Sequence, residues 1–216
     1  MAQYPHMDKT FIKHSPFPAE GSPYAIVCAL HAAVSNNDMN KVKQLIDNGA
    51  DVNGVLEYEL YEPTSLHLVG DPDVAKLLLD NGADVNAVDD EGKTPLFRVI
   101  DNVQLVKLLL DHGSNVNVVD KRGFTPLHYA TNPDVIRLLL DNGADVNAVD
   151  GLGTTPLHCA TLLQNIKVLL DYGANINTVD NYGHTPLYYA KLGDGTKPIM
   201  YRGPEVVKLL LDHGAL

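Results

Sequence analysis

The chain is short of cysteine, short of basic residues and without any long apolar run. Two cysteines, Cys28 and Cys159, stand far apart in 216 residues, with no C-x-x-C companion. That excludes a disulfide framework and a structural zinc site. Both read as reduced thiols of an intracellular protein. Lys plus Arg number 16 against 27 Asp plus Glu, a formal net charge of −11. Such a chain repels phosphate backbones and gains nothing from an anionic bilayer surface, so nucleic acid and membrane are not expected partners. No run approaches the ~18 apolar residues of a membrane-crossing helix. The first thirty residues carry Pro5, Pro16, Pro18 and Pro23 and no apolar stretch of the kind a secretory signal needs. The expected location is the cytoplasm.

What is abundant is repetition. "GADVN" or a close variant starts at Gly49, Gly82, Gly113, Gly143 and Gly173, and a truncated "GAL" follows at Gly214. "TPLH" or a variant starts at Thr64, Thr94, Thr125, Thr155 and Thr185, giving steps of 30, 31, 30 and 30 residues. Between these anchors lies an apolar run at helical period, as in Val135, Leu138 and Leu139, with Arg137 and Asp141 on the water side. Thr before Pro starts a helix, because Thr caps an orphan N–H and Pro fits the first helical position. Gly143 after Asn142 is a left-handed helix stop. Asp120–Gly123, Asp150–Gly153 and Asp180–Gly183 have turn chemistry. One unit is therefore helix, turn, helix and a projecting finger. A pair of short helices cannot bury both faces alone, so neighbours must stack.

These residues resemble the ankyrin repeat. Its T-P-L-H-x-A signature is complete at Thr125–Ala130 and Thr155–Ala160. It is partial where Ser65 replaces Pro and where Phe97 and Tyr188 replace His. The resemblance covers residues 22–216, beyond an N-terminal arm at 1–21 that is expected to be partly ordered. Units are expected at 22–56, 57–89, 90–120, 121–150, 151–180 and 181–216, with an insert at 191–205. The resemblance implies an all-α solenoid of stacked helix-turn-helix units with projecting β-hairpin fingers. It also implies that His67, His128 and His158 hydrogen-bond between neighbouring units. Metal binding by these histidines fails on spacing, and no catalytic residue or cofactor is expected. Cys159 follows His158 directly, and adjacent helical residues point different ways, so a nucleophile pair is not expected.

The later units are about three residues shorter than Ala29–Asn53, the full-length first one. Asn132, Pro133 and Asp134 start the second helix cleanly, as do Asp71, Pro72 and Asp73. The loss therefore falls on the end of the first helix, which is expected to span about a turn and a half. In ankyrin arrays the concave surface is built from fingers and inner helices. A shortened inner helix moves recognition onto the finger tips and the start of that helix. The tips are Asp90, Glu91 and Lys93; Lys121, Arg122 and Phe124; Gly151, Leu152 and Thr154; and Asn181, Tyr182 and His184. Tyr129 and Tyr189 join them from the inner helices.

The pattern breaks in three places. Asn53 to Thr64 spans 11 positions, against 8 in later copies, and Glu57, Tyr58, Glu59 and Tyr61 read as a longer strand-like finger that contacts a partner. The insert at 191–205 cannot be helical through its Gly and Pro residues, and it offers Met200 and Tyr201 as further contacts. "GDGTK" within it lacks the ending and preceding strand of a phosphate loop. The final helix has an interior-type sequence, so some surface among Val206, Leu209 and Leu210 is expected to stay uncovered, which would allow self-association. The function expected is a non-catalytic scaffold that binds a protein partner. Its rivals are a regulator, inhibitor or substrate adaptor of a separate enzyme, or a self-assembling structural protein. A viral or bacterial effector would place it in a host cytoplasm.

Overall fold

The computed structural model describes residues 22–55, 63–192 and 203–216. The expected long finger, with Glu57, Tyr58, Glu59 and Tyr61, and the insert residues Met200 and Tyr201 lie outside the described residues. The helices are α1 Pro23–Ser35, α2 Met39–Asp47, α3 Pro72–Asp80, α4 Pro95–Arg98, α5 Val103–Asp111, α6 Pro126–Tyr129, α7 Pro133–Asp141, α8 Pro156–Cys159, α9 Leu163–Asp171, α10 Pro186–Lys191 and α11 Gly203–Asp212. A 3-10 turn, Ser65–Leu68, precedes α3.

These elements form two layers. In the inner layer α1, the 3-10 turn, α4, α6, α8 and α10 pack in succession; in the outer layer α2, α3, α5, α7, α9 and α11 do the same. The signature leucines make a column through the inner layer: Leu30, Leu66, Leu96, Leu127, Leu157 and Leu187 are all buried. Leu78, Leu109, Leu139, Leu169 and Leu210 make the matching column beneath the outer layer. The two columns join one continuous core along the stack. Each unit thus gains most of its burial from its neighbours.

The shortening goes further than a turn and a half. α1 has 13 residues, whereas α4, α6 and α8 have 4 each, a single turn. The chain then turns directly into the outer helix. Asn132 caps α7 by accepting from Asp134 N–H at 2.9 Å, and Asp71 caps α3 through Asp73 and Val74. Pro133 and Pro72 occupy the first turn. A one-turn helix has almost no internal hydrogen bonding, so its position is set by the signature threonine and histidine.

The fingers are reduced from the expected β-hairpins. Among the described residues no strand forms. Asp89 N–H donates to Lys93 O at 2.9 Å and Gly92 N–H donates back to Asp89 O at 2.9 Å, which closes a tight turn. A tip this short leaves no flanking residues for a ladder. Asp89 supplies the missing bonds, its Oδ1 accepting from Glu91 and Lys93 N–H at 2.9 Å each.

The last unit narrows an expectation: of Val206, Leu209 and Leu210, only Leu209 keeps part of its surface uncovered. Val206 and Leu210 are buried beneath the preceding unit, and Leu209 is half-buried against the core. α11 packs on both α9 and α10, which puts its i, i+4 stripe inward. Leu211, not this set, is the exposed leucine of the helix.

Candidate interaction surface

The side chains that hold neighbouring units together also fix the surface. His67, His128 and His158 each accept a threonine backbone N–H at Nδ1, 3.1 Å away, from Thr64, Thr125 and Thr155. Their Nε2 atoms lie 3.1, 3.1 and 3.2 Å from the carbonyls of Lys93, Thr154 and His184 in the next finger. With Nδ1 accepting, Nε2 carries the proton and donates, so the neutral ring bridges two units. Burial pushes the His67 and His128 imidazoles below their ordinary value of 6.5. Phe97 occupies this position in the third unit and cannot accept, and the buried Thr94 hydroxyl is left without a partner.

A second staple was not legible as one in the sequence. It is made by the Asn that ends each "GADVN" or its variant. Asn53, Asn86, Asn117, Asn147 and Asn177 donate through Nδ2 to Gly82, Gly113, Gly143, Gly173 and Gly214 O. Their Oδ1 atoms accept the N–H of Asp84, Asn115, Asp145, Asn175 and Leu216. Its recurrence in units whose next residue varies was the available signal. The fingers themselves are tied backbone to backbone. Lys121, Gly151 and Asn181 N–H donate to Glu91, Arg122 and Leu152 O, each at 2.9 Å. The approach is tightest at Gly123, where φ is +84° and a Cβ would stand 2.8 Å from Gly151 N.

The predicted contact residues fall along this row of fingers in differing states. Asp90 and Lys121 are exposed. Glu91 and Lys93 pair with each other at 2.8 Å. Arg122 lies 4.9 Å from the Phe124 ring centre and bonds the Tyr129 hydroxyl. Phe124 is half-buried and edge-on to His128, with centroids 5.4 Å apart. Gly151 is exposed, as is Leu152 at 50% of its surface; half-buried Thr154 serves through its carbonyl. Asn181 bonds Gly151 O, and Tyr182 is 67% exposed. His184 stacks on Tyr188 with centroids 3.8 Å apart and planes 2° apart. Tyr188 is an exposed aromatic that the sequence reading missed. Its replacement of the signature histidine at Thr185 was the clue.

Tyr129 and Tyr189 are only partly free. Their hydroxyls donate to Asp120 and Asp180 Oδ2 at 2.7 and 2.6 Å. Burial would raise both carboxyls, but these hydroxyls and the N–H groups of the fingers outweigh it and hold them below 3.8. Burial first, then Asp180, pushes the Tyr189 phenol up to about 12. The tips run from acidic at Asp90 through basic at Lys121 and Arg122 to uncharged at Leu152 and aromatic at Tyr182.

A family model of ankyrin repeats matches three times, over residues 26–89, 66–150 and 132–216. The chain belongs to the ankyrin-repeat family. Ankyrin repeats serve in general as protein–protein interaction modules, and such domains are typically non-catalytic. A search of curated proteins finds no match to this ankyrin chain. Among the described residues of the array, no helix is long and apolar enough to cross a membrane.

Proposed function

We propose that this protein is a non-catalytic scaffold that binds a protein partner on the face formed by its finger tips and one-turn inner helices. The observation that supports this best is the exposure of Leu152 and Tyr182 on adjacent fingers joined by a backbone hydrogen bond. Large apolar and aromatic groups on a rigid support bind at low entropic cost, because nothing has to be ordered first. The groups that could suggest catalysis are already engaged. Both ring nitrogens of His158 have partners, so the imidazole beside Cys159 has no lone pair to act as a base. The charge sequence along the tips sets the orientation of the bound protein.

The test is capture of a partner by the full chain and by variants. Leu152→Ala with Tyr182→Ala is expected to weaken capture at least about tenfold, the scale of a small hot spot, without lowering the melting temperature. Lys76→Glu with Lys107→Glu, on the outer helices, is expected to leave it unchanged. Capture that survives the first pair and fails with the second would refute the assignment. Phe124→Ala is a poor probe, because its ring packs on His128 and its loss destabilises the array. A captured enzyme whose rate changes on addition would identify the scaffold as a regulator.

A further inference from the structure

The outer helices share one register, and the fifth unit departs from it. Val74 in α3, Leu105 in α5, Val135 in α7 and Val206 in α11 fill the same core position, each at most 2% exposed. Asn165 takes that position in α9 and is just as buried, at 2%. A carboxamide placed where the fold packs Val or Leu needs a partner at both of its ends. Asn165 has one. Its Nδ2 donates to Thr131 O at 2.8 Å, which fixes the orientation of the amide and leaves Oδ1 to accept. That oxygen is buried and has no partner among the described residues.

Asn165 lines a recess of about 40 Å³ between the fourth and fifth units, where a single water needs roughly 10–15 Å³. Leu127, Ile136 and Leu169 make its apolar walls, and Thr131 and Thr161 add a hydroxyl on either side. The Thr131 hydroxyl is engaged, donating to Asp101 Oδ1 at 2.9 Å. Thr161 is exposed, and its hydroxyl can donate to an incoming group. The recess therefore sets one acceptor and one donor in an apolar surround. An ammonium or a carboxylate entering it would give up its hydration for a single hydrogen bond, whereas a neutral amide matches both groups. Next to Thr161, α9 starts at Leu162 without a side-chain cap, where α3, α5 and α7 are capped by Asp71, Asn102 and Asn132. Leu162 is 53% exposed, so an apolar side chain flanks the recess where the fold favours a polar one.

We propose that this recess is a subsite for an amide group of the protein partner, its N–H donating to Asn165 Oδ1 and its carbonyl accepting from the Thr161 hydroxyl. The subsite rests on the inner-helix face being part of the recognition surface. The full ¹⁵N-labelled chain is titrated with acetamide, with N-methylacetamide and with acetone, which has the shape of acetamide and no N–H. Saturable shifts are expected at the Asn165 side-chain amide and the Thr161 backbone amide with acetamide, and binding about tenfold weaker or undetectable with acetone. An equal response to N-methylacetamide assigns the subsite to the partner's main chain; a response confined to acetamide assigns it to an Asn or Gln side chain. Asn165→Val, which copies the residue of α3, α7 and α11, is expected to abolish the Thr161 shift. Thr161→Val, at an exposed position, is expected to weaken binding about tenfold should the first variant misfold. Equal responses to acetamide and acetone would overturn the subsite. So would no response to any probe, as for a recess that holds water only, or undiminished acetamide binding in the folded variants. Partner capture separates the two claims. Capture that needs Leu152 and Tyr182 but is equal in Asn165→Val and Thr161→Val sinks the subsite and leaves the scaffold standing.

Discussion

Replacing His128 by Phe copies into the fourth unit the situation the third already has at Phe97, so its consequences can be worked from the structure. The buried Thr125 N–H loses the acceptor it has in His128 Nδ1, at a cost of about 1–3 kcal/mol. Thr154 O keeps its bond from Asp150 N–H, so the loss of the imidazole donor there costs only about 0.5–1 kcal/mol. The larger apolar ring returns about 1 kcal/mol through burial. The net is about 2 kcal/mol of destabilisation, or about 4–8 °C in melting temperature for a chain of this length. The pH dependence makes the reasoning specific. The folded state holds the His128 imidazole below its ordinary 6.5, chiefly by burial, while the unfolded chain takes up a proton as pH falls through 6.5. The wild-type contribution is therefore complete above 6.5 and is lost as pH falls below it, by at most about 1.4 kcal/mol per pH unit, until the depressed folded value is reached. His67 behaves in the same direction but is present in both proteins and cancels in the difference. Urea unfolding followed by far-UV circular dichroism at about pH 8 and about pH 5 measures the gap between wild type and His128→Phe. The gap is expected to be widest at the higher pH and to shrink at the lower. A gap of equal size at both, or none at the higher pH, would refute the account of the histidine bridges.

Two further outcomes follow from the same network. Thr94→Val removes a buried hydroxyl that has no partner and is expected to raise stability by about 1 kcal/mol, whereas Thr125→Val, whose hydroxyl lies 2.9 Å from His128 Nδ1, is expected to lower it. Paired urea curves read this difference of sign. Asn117→Ala removes the donor to Gly143 O and the acceptor for Asp145 N–H, and is expected to cost about 1 kcal/mol because water partly replaces it at this exposed site. Hydrogen exchange should show the Asp145 amide losing protection ahead of the core of α7.

Much of the fold was legible because its signals are local. Thr before Pro marks each inner helix, Gly143 and its equivalents take positive φ at the helix stops, and the apolar period picks out the buried leucines. The shortening of the inner helix could be placed from the sequence, though its extent could not. Whether a threonine-led segment runs for one turn or more depends on the backbone bonds it can complete, and the neighbouring unit decides those. The hairpins failed for a similar reason. Strand pairing needs length, and Asp89 and its equivalents took the N–H groups that a ladder would have used.

The candidate surface was less legible than the fold. Variation among the tips separated them from the repeating frame, but it could not show that Phe124 packs inward on His128 or that Tyr129 and Tyr189 hold the finger carboxylates. Nor could it separate Tyr188, exposed and stacked on His184, from the buried histidines at the same position.

The order of elements along the chain was determined by the sequence alone, through caps, stops and periods that act over a few residues. The tertiary structure alone decided the bonds between units. Those bonds join residues about thirty positions apart, and only stacking brings Asn117 to Gly143 or His128 to Thr154.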